Sequence, residues 1–368
     1  MSDATKRIES LDAFRGLAVA GMILVSTPGS WSSVYPSLDH AAWNGWTLTD
    51  LVFPFLLFAM GAAVPLAHER RRVVLKQLQP HVLRRTVLLF GLGLVLNAIE
   101  SHAPLALATF RIPGVLQRIA VVYAMVAAAT EALSDREQTT LVTAVLGLYW
   151  AAMIWVPVPG VGAGVLTPTG NLASFVDRRL FGRHMLMPAF DPEGLLSTFP
   201  AFATAMMGVF AGRSLQRSDG RGRTLHLWVA GAALTIAGLA WGRVFPINKN
   251  LWTSSFAVFT AGLAAQTLAL FHWVFDVKDW RVAGRPLLAF GRNALAAYFF
   301  SVGLDSVLTR TALAGSTIKS IAYRTAFSSW VRPCCGDNAA SLAYAVAYVA
   351  IWAVVLAEMR RRQIFISI

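Results

Sequence analysis

Long apolar runs separated by short polar segments set the pattern of the chain. Windows of about 20 mostly apolar residues, enough for a helix to cross a hydrocarbon core of about 30 Å, recur at 9–27, 48–67, 82–99, 114–133, 139–157, 195–213, 224–242, 252–275, 286–307 and 339–358. They predict an all-α, polytopic membrane helical bundle of about ten transmembrane helices, forming one domain over 1–368. Asp12 and Arg15 interrupt the first run, and no small-residue cleavage site follows it, so it reads as a retained helix and not a signal peptide. Two connections are long, 158–194 and 308–338. The first is rich in Pro and Gly and too polar to cross, which predicts a lid over one end of the bundle.

Composition agrees: 56% hydrophobic residues, 14% charged residues and a mean hydropathy of +0.56 exclude an ordinary soluble domain. With ten spans, nineteen Lys and Arg residues fall on the side of the termini and ten on the other, leaving Arg15, Arg118 and Arg292 within helix ends. That asymmetry places both termini in the cytoplasm and the chain in the inner membrane, with the lipid bilayer as partner. The net charge of +13 is then mainly a topology signal. Without a separate basic domain, nucleic acid is not expected as a partner. Cys334 and Cys335 are adjacent and carry no redox or metal pattern, and P-loop, GxGxxG and HExxH motifs are missing. No metal is expected.

The stretch PSLDHAAWNGWTLTDLVFPF, residues 36–55, concentrates the candidate chemistry. Thr47 and Asp50 have the spacing of a capping box, which starts a helix and puts a carboxylate at its positive end. Pro54 supplies no N–H to the Asp50 carbonyl, and irregular backbone at that depth commonly lines a cavity. His40 precedes the helix in company with Trp43 and Trp46, an interfacial aromatic set. Asp12 and Arg15 have ion-pair spacing. Gln117 and Arg118 open the fourth span, where Arg118 either meets a cavity partner or snorkels. Asn248, Lys249, Asn250 and Trp252 either contact a sugar or anchor the interface. Asp191 and Glu193 either bind a cationic amine or form a turn and helix start. Asn293 either contacts ligand or hydrogen-bonds between helices.

Several motifs occur in a characteristic order: SLDAFRGLAVAGMILV, HAAWNGWTLTDLVFPFLLFAMGAA, RIPGVLQRIAVVY, DPEGLL, INKNLW and RRRQIFISI. Together they resemble the heparan-α-glucosaminide N-acetyltransferase family, including its bacterial members, along essentially the whole chain. The resemblance implies a multi-span acyltransferase that takes acetyl-CoA from the cytoplasmic side and acetylates the amino group of a glucosamine-type sugar at the periplasmic side. It implies His40, within His40-x-x-Trp43-Asn44-Gly45, as the active-site histidine. Relatives commonly carry Asn where this chain has Ser26, a departure at the end of the first span.

Imidazole suits acyl transfer either as general base or as nucleophile. The base is favoured, because a thioester is already activated and direct attack avoids an intermediate exposed to water. Asp50 is the partner that would orient His40. For acetyl-CoA, Arg15, Arg84, Arg85, Gln117, Arg118 and Arg213 are candidate ligands, because phosphates favour dense cationic donors. For the sugar, the candidates are Ser26, Trp43, Asn44, Asp191, Glu193, Asn248, Lys249, Asn250, Trp252 and Asn293. An amino-sugar transporter is the alternative reading, since transporters also combine broken helices with a midplane cavity. The acceptor sugar and the oligomeric state, a homodimer included, stay open.

Overall fold

Every one of the ten apolar runs coincides with helix in the computed structural model, which describes residues 8–74, 79–101, 106–216, 220–280, 284–313 and 315–366. In chain order the helices are α1 (Glu9–Ser26), α2 (Leu48–Val74), α3 (Gln79–Glu100), α4 (Val115–Ala132), α5 (Asp135–Trp155), α6 (Leu172–Phe181), α7 (Leu195–Gln216) and α8 (Gly220–Trp241). They continue as α9 (Ser254–Phe271), α10 (Arg285–Arg292), α11 (Ala294–Arg310), α12 (Ile318–Tyr323) and α13 (Ser329–Arg361). Among the described residues eight helices are long and apolar enough to cross a membrane, or nine if α10 and α11, bent by 86°, form one broken span. The 18-residue α1 carries three charged residues, Glu9, Asp12 and Arg15, and is not among these. Of the cations that set the expected orientation, Lys6, Arg7, Lys76, Arg217 and Arg281 lie outside the described residues, as do the side chains of Arg70, Arg71, Arg72 and Arg221.

Helices α2, α7 and α9 form the centre, whereas α3, α5 and α8 are peripheral. The peripheral helices expose Leu83, Val87, Leu148, Trp228 and Ile236, the reverse of a soluble bundle and the arrangement expected where hydrocarbon is the solvent. Close backbone approach holds the centre together. A Cβ on Gly61 would lie 1.8 Å from the Ala205 carbonyl oxygen, and one on Gly208 or Gly212 would lie 2.2 Å from the carbonyl of Phe58 or Ala62. Small residues at this α2–α7 seam permit dense packing, which does the work that water-driven association does elsewhere. Gly16 and Gly291 bring α1 and α10 together in the same way.

Two connections shape the ends. Residues 158–194 contain a bridge between Val158 and Gly162, the short α6 and irregular chain. Residues 308–338, expected as a loop, are largely helical: a two-residue hairpin pairs Ala312 with Thr317, and α12, a π-turn and the start of α13 follow. The last helix therefore starts ten residues before the apolar run at 339. Its polar first part holds Pro333 and a local break at Gly336 (φ 85°), features that read as loop in the sequence.

Candidate active site

Asp50 lies in the first turn of α2 with its side chain buried. Its Oδ2 accepts the N–H of Thr47 at 3.0 Å and of Ala41 at 3.1 Å, together with the Thr47 hydroxyl at 3.2 Å. Its Oδ1 faces Nδ1 of His40 at 2.7 Å. One carboxylate thus starts the helix and holds the imidazole, whose side chain remains 53% exposed. The two functions are compatible because a carboxylate has about four acceptor positions.

A second strand of chain completes the group. Lys249 Nζ lies 3.0 Å from Nδ1 and 3.2 Å from Nε2 of His40, and 3.6 Å from Asp50 Oδ1. The loop carrying Lys249 is zipped to the loop carrying His40: Gly45, at φ 102°, donates its N–H to the Ile247 carbonyl at 2.7 Å, and Asn248 Nδ2 donates to Asn44 Oδ1 at 3.1 Å. Asn248 Oδ1 also accepts the Leu251 N–H at 2.9 Å. Burial holds the Lys249 ammonium below the usual lysine value, against the opposing pull of Asp50 and Glu193.

Around this group Trp43 and Trp252 make contacts that hold the fold. Trp43 donates to the Leu166 carbonyl at 2.8 Å and packs edge-on against Phe190 at 5.1 Å, tying residues 158–194 to the His40 loop. Trp252 is fully buried, holds φ at 47°, donates to Thr204 Oγ1 at 3.1 Å and packs against Phe53. It is therefore a core anchor under the site and offers no open platform to a sugar ring. Arg118 lies over the Trp252 ring at 5.2 Å and donates to the Gly194 carbonyl at 3.0 Å and to Ser197 Oγ. Among the described residues its buried Nε and Nη1 have no hydrogen-bond partner.

The paired carboxylates ahead of α7 have an internal partner. Arg111 grips Asp191 through two bonds of 3.0 and 2.7 Å, and reaches Glu193 Oε2 at 2.5 Å. Asp191 further accepts the N–H groups of Leu186 and Glu193. Burial alone would raise its carboxyl; the Arg111 bonds outweigh that and hold it below the usual range. Asp191 and Glu193 thus tie the end of the 158–194 segment to Arg111, a guanidinium of the chain itself.

A cavity of about 250 Å³ opens between α1, α2, α3, α4 and the α10–α11 break, with Arg15 and Arg85 in the first two turns of α1 and α3, the helix ends opposite the α1–α2 loop that carries His40. Arg15, Arg85 and Arg292 line it together with Tyr123, Tyr298 and Ile366. Arg85 lies over Tyr123 at 4.5 Å, and its buried Nε lacks a hydrogen-bond partner among the described residues. Asp12 approaches both Arg15 (3.6 Å) and Arg292 (3.8 Å). The cavity reaches Leu116 and Ile119 in the first turns of α4, on either side of Gln117 and Arg118 in sequence.

Placed against these groups, Trp43, Asn44, Asn248, Lys249 and Trp252 gather around His40 and Asp50, whereas Arg15 and Arg85 line the cavity. Gln117 is buried against Gly93 and Gly114, with its Nε2 unpartnered among the described residues. Arg84 is exposed outside the cavity, and Arg213 pairs with Asp135 at 2.7 Å. Ser26 ends α1 half-buried and Asn250 is half-buried in the Lys249 loop; among the described residues neither hydrogen-bonds to His40 or Asp50. Asn293, at the α10–α11 break, clamps the tail: its amide donates to the Ile364 carbonyl at 3.2 Å and accepts the Ile366 N–H at 3.0 Å. Arg111, Arg292 and Tyr298 were not among the site candidates read from sequence, although RIPGVLQR contains Arg111.

The profile of the family described as "Heparan-alpha-glucosaminide N-acetyltransferase, catalytic" matches residues 7–243. The chain belongs to that family. It is 31% identical to the heparan-alpha-glucosaminide N-acetyltransferase of Homo sapiens, over 81% of this chain and 53% of the human protein. It is 30% identical to that of Mus musculus, over 80% and 53%. The chain spans about half the length of these curated relatives. The family resemblance carried by the ordered motifs is thereby confirmed, and with the apolar helices it makes this a multi-pass membrane protein.

Proposed function

We propose that this chain is a transmembrane acyltransferase that moves an acetyl group from acetyl-CoA to the amino group of a glucosamine-type sugar. The observation that supports this reading is the presence, within one helical bundle, of a cavity lined by Arg15, Arg85 and Arg292 and of the His40–Asp50 pair. Acetyl-CoA carries several phosphate charges and does not cross hydrocarbon unaided, so donor and external acceptor can meet only within the membrane. With both termini cytoplasmic in the inner membrane, the cavity opens toward the donor and His40 faces the periplasm.

The cavity residues fit the donor's chemistry. Arg15, Arg85 and Arg292 would hold phosphates, and the apolar walls formed by Val19, Leu56 and Met60 would take the uncharged arm. At the other end Asp50 accepts from Nδ1 of His40, which leaves Nε2 as the basic nitrogen. His40 acts as general base on the attacking amine.

Incubating purified protein with labelled acetyl-CoA and glucosamine, with the product identified by mass spectrometry, tests the reading. N-acetylglucosamine and free CoA in equal amounts are expected. Uptake of labelled glucosamine into proteoliposomes without acetyl-CoA, with no acetylated product, would replace the enzyme by a transporter.

A further inference from the structure

The proposed reaction has a proton stoichiometry that one histidine does not meet. A sugar amine arrives as R–NH3⁺, and the products are R–NH–acetyl, CoA–SH and one free proton. Two protons therefore leave nitrogen: one must go before the lone pair can attack, and the other goes as the amide forms.

From this arrangement, and resting on the proposed function, we infer that Lys249 is the second proton carrier of the transfer. Its Nζ lies against both ring nitrogens of His40 and within 3.6 Å of Asp50, so that carboxylate, imidazole and amine form one connected group. In the first step the free amine of Lys249 takes a proton from the sugar ammonium and becomes an ammonium itself. In the second the sugar nitrogen attacks the thioester carbonyl, the C–N bond forms and the C–S bond breaks. His40 takes the remaining N–H proton and delivers it to the departing sulfur, giving CoA–SH. Lys249 then returns its proton to water through the exposed side of His40.

The surroundings of Lys249 suit a group that must exist in both protonation states. His40 faces it from its loop, Asp50 from α2, Glu193 from the segment before α7 and Arg118 from α4. Asp50 and Glu193 favour the ammonium, and Arg118 and burial favour the free amine. The balance falls below the ordinary lysine value, where proton exchange near neutral pH is faster than for an exposed lysine. A purely structural Lys249 would serve only as the counter-charge of Asp50.

Lys249→Arg separates the two roles, because arginine keeps the positive charge beside Asp50 but does not release a proton. For a proton carrier, kcat at neutral pH falls roughly 10²–10⁴-fold in both Lys249→Arg and Lys249→Met. KM for acetyl-CoA should stay within about twofold, since the cavity is untouched. The rate of Lys249→Met should climb toward wild type as pH is raised, because the sugar then arrives as the free amine and needs no first base. A Lys249→Arg protein with wild-type kcat and pH profile overturns the inference while leaving the acetyltransferase reading intact. Loss of kcat that is equal at all pH values also overturns it. If the wild-type protein forms no N-acetylglucosamine at any pH, reading and inference fall together. Melting temperatures in detergent confirm which variants are folded; if Lys249→Met is not, Lys249→Arg alone decides.

Discussion

Asp50 Oδ1 and His40 Nδ1 are 2.7 Å apart, although ten residues and a turn of loop separate them in sequence. The contact fixes which ring nitrogen is protonated, because the carboxylate can only accept. Asp50→Asn should lower kcat by roughly 10²–10⁴-fold, as loss of the orienting carboxylate does in other His–Asp pairs. Stability should fall by only about 1 kcal/mol, the usual range for a weakened helix cap. Steady-state rates and melting curves on the same preparation check both parts. An Asp50→Asn enzyme with wild-type kcat would mean that the carboxylate serves the helix alone.

His40→Ala should abolish transfer with little change in melting temperature, since the ring is more than half exposed and fills no core space. The general-base role makes a further prediction: with acetyl-CoA and no sugar, CoA should not be released. Stoichiometric release, with label held on the imidazole and passed to glucosamine at the turnover rate, would make His40 a nucleophile instead.

The cavity sorts the arginines. Arg85→Ala and Arg292→Ala should raise KM for acetyl-CoA tenfold or more, since a hydrogen bond to a charged group contributes about 1.5–3 kcal/mol. Arg84→Ala and Arg213→Ala should leave it unchanged, because one side chain is exposed and the other is held by Asp135. Equal effects across all four would place the donor elsewhere.

The same contrast shows what the sequence could convey. A run of 20 apolar residues has only one low-energy form in hydrocarbon, so the helix under each of the ten runs was legible, although among the described residues only eight, or nine with the bent α10–α11 pair, are long and apolar enough to span. The stretch 308–338 was not, because Pro333, Gly336 and its charged residues break the apolar pattern while the backbone departs from helix only locally. His40 was legible through the family motif and Asp50 as a helix start that could orient it, but their 2.7 Å contact across the loop was not. Lys249 stands 209 residues from His40 and no periodicity links them; only the zip of Asn44 and Gly45 to Asn248 and Ile247 brings them together. For Asn293 the choice between a ligand contact and a hydrogen bond within the chain was not legible, because its partner, the backbone of Ile364 and Ile366, has no signature in side-chain chemistry.

Asp191 gives a test of lid fastening against amine binding. Asp191→Ala removes one of the two carboxylates around a guanidinium that is largely buried, a change that costs about 3–5 kcal/mol for a broken buried pair. Melting temperature should drop and proteolysis within 158–194 should accelerate. Unaltered stability with a large rise in KM for the sugar would instead assign Asp191 to the amine.

Asp177 makes stability depend on pH in a defined direction. It is buried beneath the start of α7, where its Oδ1 accepts the Leu195 N–H at 2.8 Å, and a Cβ on Gly194 would lie 1.8 Å from its Oδ2. Burial pushes its carboxyl up to about 6, against the lowering effect of the Leu195 bond and Arg118, from an ordinary value of 3.8. Because the folded value is the higher one, the folded protein binds more protons than the unfolded chain between these limits. Stability from this group is therefore greatest below about pH 4, declines as pH rises to about 6 and then stays constant, an effect of about 3 kcal/mol at most at 1.36 kcal/mol per unit. Asp177→Asn keeps an oxygen for the Leu195 N–H and removes the titration. Its melting temperature minus that of wild type should grow between pH 4 and pH 6.5 and then level off. A difference that is flat across that range, or that shrinks as pH rises, would mean that Asp177 is ionised in the folded protein throughout and that Arg118 compensates it fully.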